Sequence, residues 1–357
     1  MAKKRIGVFT GGGDCAGLNA AIMAVVKRGI AQGWEMLGVH AQHDGFVGKA
    51  PVEKLTLALP WGERIRQGGT FLGAYSNANW RPEFKGLSED EALAAAKAEV
   101  VAGMKRLKFD GLIGTGGNGS IYFSCVQARE AGLPFVGIPK TIDNDTAGTD
   151  LSIGFNSAIE ECTRAIDNIY WTAAAHRRVM IVEVMGRHAG HLALHAGLAS
   201  GADAILIPEI PYTVEGIIKR IEAARKAEKR EHFIVVCAEG AVPKGAEVKP
   251  GGVAGYIEAR LAEKKYHVRS MSLGHIQRDG NPLGADRVLA QRFGVKAVDV
   301  MAEMLERGEK LQKMVALRGR KIEAFPLSFK HGEETQLVDA KGDRVKTARE
   351  LGIYMGE

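Results

Sequence analysis

Apolar positions along the chain follow two alternating periods. Short runs of consecutive apolar residues, rich in Val and Ile, predict buried strands at 5–9, 36–40, 111–114, 135–138, 179–184, 204–207, 233–237 and 268–272. Between them apolar residues recur every three or four positions and predict helices at 18–31, 90–107, 120–131, 157–172, 213–228, 253–264 and 285–306. Strands that take turns with helices of this length imply an α/β protein whose mostly parallel sheets are covered on both faces, that is, doubly wound three-layer domains. At about 150 residues per domain, 357 residues suffice for two. The best break lies near Gly154, after a dense loop, and a second crossing falls near His275. One domain would then comprise 1–154 with about 276–318, and the other 155–275. The last stretch, 319–357, is basic and mixed and is expected to pack on the surface.

Composition narrows the function. Glycine is in excess, 45 of 357 residues against a usual ~7%, which points to tight loops and to backbone lying close to a ligand. The formal charge of +6 favours anionic partners. Much of the basic charge, Lys219, Arg220, Arg225, Lys226, Lys229 and Arg230, is interleaved with Glu222, Glu228 and Glu231, the mark of a solvated helix face. No nucleic-acid motif or stacking-aromatic pattern accompanies it, and no run of about 18 apolar residues could span a bilayer. Neither nucleic acid nor membrane is therefore expected as a partner. The four cysteines have irregular gaps and form no CxxC pair, so reduced thiols in a cytoplasmic protein are expected.

Candidate chemistry sits at strand ends. The first strand runs into Gly11-Gly12-Gly13-Asp14-Cys15-Ala16-Gly17 and then a helix, a place where backbone N–H groups bind phosphate. Read as a dinucleotide fingerprint it lacks the acidic residue ending the second strand, since His40 stands there; a purely structural glycine turn is the other reading. A second loop, Gly114-Thr115-Gly116-Gly117-Asn118-Gly119-Ser120, follows another strand. Two such loops at the carboxyl ends of one parallel sheet suit a triphosphate or pyrophosphate. In Pro139-Lys140-Thr141-Ile142-Asp143-Asn144-Asp145, an extended backbone would point Thr141, Asp143 and Asp145 the same way, beside Lys140. Carboxylates with a hydroxyl and an ammonium can deprotonate an alcohol and hold a phosphoryl group or a metal; an Asx turn is the alternative. Arg178, Arg187, Arg269 and Arg278 lie near strand ends and suit a sugar phosphate, with Glu239 to accept from sugar hydroxyls. His188, His191 and His195 invite a metal reading, but without HExxH or a completing carboxylate they are expected to pack a helix or an interface.

Four motifs in order, residues 12–19 (GGDCAGLN), 139–145 (PKTIDND), 182–187 (VEVMGR) and 274–278 (GHIQR), resemble those of the 6-phosphofructokinase family across about residues 4–310. The resemblance implies phosphoryl transfer to the 1-hydroxyl of fructose 6-phosphate, a glycolytic step, in a cytoplasmic homotetramer with Mg2+ and with ATP or pyrophosphate as donor. It makes Asp143 the base, with Thr141, Asp145, Lys140 and Arg187 in the catalytic set. Thr141, Ile142, Met185, Gly186, Arg187, Glu239, His275, Ile276, Gln277 and Arg278 would hold the sugar phosphate. Arg178 and Arg269 match residues that reach in from a neighbouring subunit. Gly13, Ser76, Asn77 and the loop Gly117, Asn118, Gly119, Ser120 would hold the donor. Three departures stand out. Asn118 takes the place of the family's usual magnesium-binding aspartate, Ser76 that of an arginine near the donor phosphates, and Met23 that of an effector-binding arginine of regulated bacterial members. Gly119 resembles the ATP-using pattern and Lys140 the pyrophosphate users, the pair together favouring ATP; a sugar-phosphate-binding homologue with weakened catalysis is the other outcome that Asn118 allows.

Overall fold

The computed structural model describes residues 3–74, 86, 88–278, 280–327 and 335–356, and these divide into two compact units. Unit 1 takes Met1–Thr141, Thr146–Gly154 and Arg278–Glu334; unit 2 takes Ile142–Asp145, Phe155–Gln277 and Thr335–Glu357.

In unit 1 the strands are β1 (Arg5–Thr10), β2 (Glu35–Val39), β3 (Val52–Leu55), β4 (Gly111–Gly116) and β5 (Phe135–Pro139). Its helices are α1 (Leu18–Ala31), α2 (His43–Val47), α3 (Trp61–Arg64), α4 (Glu89–Arg106) and α5 (Asn118–Ala131). Unit 2 follows with α6 (Phe155–Ala175), β6 (Val179–Val184), α7 (His191–Ala199), β7 (Ala204–Leu206), α8 (Val214–Glu228), β8 (Phe233–Ala238), α9 (Val253–Glu263) and β9 (Val268–Ser272). Unit 1 then resumes with α10 (Gly284–Glu306), β10 (Gln312–Arg318) and β11 (Lys321–Pro326), and α11 (Asp343–Glu350) belongs to unit 2.

Among the described residues the sheet of unit 1 has the order β11-β10-β5-β4-β1-β2-β3. The five central strands are parallel, and β11 and β3 pair antiparallel at the edges. Both α5 and α10 pack on β4, β5 and β10, whereas α10 pairs with α1 and α5 with α4, so the helices cover opposite faces. Every residue of β4 and β5 is buried, which is why these strands read as unbroken apolar runs. Under the α4–α5 face, Phe9, Phe46, Phe109, Phe135 and Met104 form one core, with Phe46 edge-on to Phe9 at 5.3 Å. Helix α4 starts on a capping box, Ser88 Oγ accepting from the Glu91 N–H while the Glu91 carboxylate accepts from Ser88 N–H.

Unit 2 has the order β7-β8-β6-β9, parallel throughout. Helices α6 and α7 pack on one another and on β6–β8, and α9 lies on β9, β6 and β8 with α8 beside it. Asp203, just before β7, is 3% exposed. It accepts from the Ile234 N–H at 2.9 Å and from the guanidinium of Arg230, binding β7 to β8.

The predicted strands and helices are all present, with ends shifted by a few residues. The pattern missed α2, β3, α3, α7, β10, β11 and α11. The stretch expected at the surface, 319–357, packs through several of its residues. Strand β11 closes one edge of a sheet, and Val338, Val345, Ala348, Ile353 and Met355 are buried. Tyr354 bridges Ala204 in parallel fashion, its N–H donating to the Asp203 carbonyl at 3.0 Å. No described helix is long and apolar enough to cross a membrane.

All four cysteines are free and buried. Burial pushes the thiol of Cys15 up to about 12 and that of Cys125 up to about 11, against the smaller opposing pull of Lys140 and of Arg129. It also raises Cys162 and Cys237. Since the thiolate is the reactive form, a thiol reagent at mildly alkaline pH is expected to find none of the four in the native protein and all four in denaturant. Rapid native labelling of even one would contradict this packing.

Candidate active site

Unit 1 builds an anion cradle from three neighbouring strand ends. The order β5-β4-β1-β2 places a topological switch at β4/β1, because the chain leaves β1 towards β2 and returns on the other side as β4. Gly11 N–H donates to Thr115 O at 2.9 Å, joining the loop after β1 to β4. Lys140, one residue past β5, donates its N–H to Gly116 O at 2.8 Å. Its side chain is 3% exposed, and Nζ donates to Gly11 O at 3.2 Å and to Gly13 O. Gly12 has φ +74, where a side chain would be strained, and a Cβ there would stand 2.6 Å from Ser120 Oγ. A Cβ on Gly13 would be 2.6 Å from the Arg278 guanidinium, which itself reaches Asp14 O at 3.3 Å.

Asn118, Gly119 and Ser120 form the first turn of α5, which holds no acidic side chain. A Cβ on Gly119 would meet nothing within 4 Å. An ammonium, a guanidinium and a helix N-terminus thus converge on glycine backbone, an arrangement suited to several phosphate oxygens. Thr141 lies beside it: its Cβ is 3.8 Å from where a Cβ of Gly117 would be, and its carbonyl accepts from Ser152 Oγ at 2.7 Å. Ser76 and Asn77 lie outside the described residues.

Of the two readings of 142–145, extended backbone or a turn, the structure has the turn. Ile142 and Asp143 form a turn, and Asn144 sits at φ +51. Asn enters the left-handed region more readily than most residues because its short amide can bond locally. Burial nonetheless alternates, with Ile142, Asn144 and Thr146 buried and Thr141, Asp143 and Asp145 partly exposed. With its side chain 1% exposed, Ile142 has only backbone to offer a ligand.

Unit 2 gathers a second set at the carboxyl ends of β6, β8 and β9. Glu239 N–H donates to Val184 O at 2.8 Å and Gly240 N–H to Gly186 O at 3.2 Å, so the turn at 185–187 and Glu239 are neighbours. A Cβ on Gly240 would run into the carbonyl of Arg187; glycine is what lets the two turns touch. Arg187, His275 and Ile276 are exposed, and Met185 is buried.

Gln277 is 2% exposed: Oε1 accepts from Met185 N–H at 3.0 Å and from the Cys162 thiol at 3.1 Å, and Nε2 donates to Gly274 O at 2.8 Å. Its side chain fastens the 274–277 turn to the 185–187 turn. Arg178 and Arg269 lie at the other end of the same sheet, before β6 and early in β9. Arg269 pairs with Met180, five residues before Met185, and Arg178 lies seven before it, so at about 3.3 Å per residue their backbones stand roughly 17 and 23 Å from Met185.

Sequence reasoning also missed Glu183 and Glu209. Glu183, 1% exposed on β6, accepts from Ala254 N–H at the start of α9 (2.9 Å). Glu209 accepts from Gly190 N–H at the start of α7 (2.9 Å). Neither carries a local signal. His195 serves α7 itself, its Nδ1 donating to His191 O at 2.7 Å with its ring edge-on to Phe155, whereas the His191 imidazole meets the carbonyl of Gln336 at 2.9 Å. Among the described residues no three His, Cys, Asp or Glu side chains form a metal cluster.

The family model described as Phosphofructokinase matches residues 5–301. The chain belongs to the phosphofructokinase family. It is 41% identical over 362 residues to the ATP-dependent 6-phosphofructokinase of Chloroflexus aggregans, an alignment covering 99% of this chain and 98% of that one. It is 43% identical over 334 residues to the pyrophosphate–fructose 6-phosphate 1-phosphotransferase of Amycolatopsis methanolica, covering 89% and 92%. Among solved structures, phosphofructokinase from Saccharomyces cerevisiae superposes with a TM-score of 0.80 at 30% identity, covering 98% of this chain and 47% of that one; the chain spans about half the length of the yeast chain. The motifs that carry the resemblance to phosphofructokinases are thus the ones that form both sets described above.

Gly240→Ala is expected to destabilise the protein by about 1–3 kcal/mol through overpacking against the 185–187 turn. Gly255→Ala, in α9 where a Cβ meets nothing within 4 Å, is expected to gain up to about 1 kcal/mol from helix propensity. Opposite shifts of the urea midpoint check the pair.

Proposed function

We propose that the protein transfers the terminal phosphoryl group of ATP to the 1-hydroxyl of fructose 6-phosphate, giving fructose 1,6-bisphosphate and ADP. The observation that carries this reading is the near-full-length likeness to an ATP-dependent 6-phosphofructokinase, joined to two residue sets of the right chemistry. Lys140, Arg278, Gly13 and the first turn of α5 would hold the donor phosphates, and the open space at Gly119 leaves room for a nucleotide. Met185, Gly186, Arg187, Glu239 and His275 would hold the sugar phosphate, Arg187 by charge and Glu239 by accepting from hydroxyls. Asp143 would take the hydroxyl proton as the oxygen attacks phosphorus, with Thr141 and Asp145 orienting the reacting groups.

Mg2+ fits this donor set with few protein ligands, because it keeps waters and phosphate oxygens around it. Asn118 would contribute its amide oxygen as a neutral ligand. The ion, when bound, would neutralise charge on the transferring group.

Arg178 and Arg269, at the far end of the unit 2 sheet, would serve the sugar-phosphate site of a neighbouring subunit. A homotetramer in the cytoplasm, where the buried thiols stay reduced, is the assembly this favours. Lys140 and the likeness to the Amycolatopsis methanolica enzyme favour a second reading, with pyrophosphate as donor.

A coupled assay for fructose 1,6-bisphosphate with each donor decides between the two: turnover with ATP is expected, and turnover confined to pyrophosphate would overturn the donor assignment. Asp143→Asn is expected to lower kcat at least ~10²-fold; a smaller loss would remove Asp143 from the role of base. Asn118→Asp, which restores a charged ligand, is expected to lower the Mg2+ concentration for half-maximal rate, and an unchanged titration would place the ion's ligands elsewhere.

A further inference from the structure

The C-terminal stretch of unit 2 is tied to the turn that carries Asp143. Gln336 N–H donates to the carbonyl of Asp145 at 2.8 Å. The carbonyl of Gln336 in turn meets Nε2 of His191, the first residue of α7, at 2.9 Å. A carbonyl can only accept, so Nε2 carries the proton. Two residues on, Val338 N–H donates to Oε1 of Glu209 at 2.9 Å, and Glu209 is held by Gly190 N–H at 2.9 and 3.1 Å. The 336–338 backbone is therefore pinned at both ends to the start of α7, and from there it grips Asp145.

That grip falls where the backbone needs it. Asn144, one residue earlier, sits at φ +51, a conformation that non-glycine residues avoid unless their surroundings hold it. A hydrogen bond to the next carbonyl opposes relaxation of the turn. Any relaxation would move Asp143, two residues before Asp145, and a general base must be placed within tenths of an ångström to work.

We propose that His191, through the Gln336 backbone, is a positioning residue for the 142–145 turn and hence for the Asp143 carboxylate. This rests on the reading of Asp143 as the base. His191 touches no reacting atom in this scheme; it aims the 336–338 backbone that holds the turn. No signal in the sequence joins residues 145, 191 and 336, and the histidine reads there only as a packing residue.

Two substitutions separate positioning from packing. In His191→Gln the amide nitrogen can reach where Nε2 stood, whereas in His191→Asn it falls about one bond short; both keep a polar side chain at the start of α7. In the coupled assay on the full chain, H191N is expected to lower kcat about five- to tenfold, the worth of one hydrogen bond, with KM for fructose 6-phosphate within about twofold. H191Q is expected to restore kcat to within about twofold of the parent. Amide exchange at 142–146 should quicken in H191N and not in H191Q. Parental kcat in H191N, equal losses in both variants, or unchanged exchange in H191N would each overturn the proposal. If the parent protein itself turned over no fructose 6-phosphate, the reading of Asp143 would fall, and the exchange comparison would still decide whether His191 holds the turn.

Discussion

The cradle of unit 1 depends on a buried ammonium. Lys140 touches all three loops that meet at the switch in the sheet: it follows β5 in the chain, its N–H is given to the end of β4, and its Nζ is given to the loop after β1. Burying a cation is costly unless dipoles are aimed at it, and the carbonyls of Gly11 and Gly13 supply them. The same glycines keep the loop clear of its neighbours, since a Cβ on Gly11 would run into Gln42 and one on Gly13 into Arg278. With Arg278 against Gly13 and the start of α5, through Ser120, against Gly12, the result is backbone suited to an anion with positive charge behind it.

In unit 2 the equivalent work is done by contacts between the turns and helix starts themselves. Gln277 joins two turns, Glu183 holds the start of α9, Glu209 the start of α7, and Gly240 keeps clear of the Arg187 carbonyl. Each is buried or closely packed, and each lets an exposed neighbour, Arg187 or His275, stand at a fixed place. A site at the ends of parallel strands is only as rigid as the turns that leave those strands, and these contacts brace the turns against one another.

The alternation of strands and helices, and both glycine loops, were legible in the sequence because they rest on local chemistry: apolar periodicity, and backbone that must lie close to something. What was not legible depends on distance along the chain. Gln277 reads as a ligand contact from its motif, but its direction is set by Cys162, 115 residues earlier, and by Met185. Helix α7, HLALHAGLA, is apolar on nearly every side and so has no stripe to detect. Strands β3 and β11 are edge strands, with few buried positions to betray them. For 139–145 the sequence allows both an extended backbone and an Asx turn, and Asp-Asn-Asp favours the turn, since among non-glycine residues Asn readily accepts the left-handed conformation found at 144.

One property of unit 2 cannot be altered by movement within a chain. Its basic residues stand at both ends of a single sheet, Arg187 and His275 at the carboxyl ends, Arg178 and Arg269 at the other. Strands hydrogen-bonded on both sides behave as rods, and β6, between β8 and β9, is such a strand. The two pairs therefore keep a fixed backbone separation along the strands, roughly 17 Å for Arg269 and roughly 23 Å for Arg178 measured from Met185.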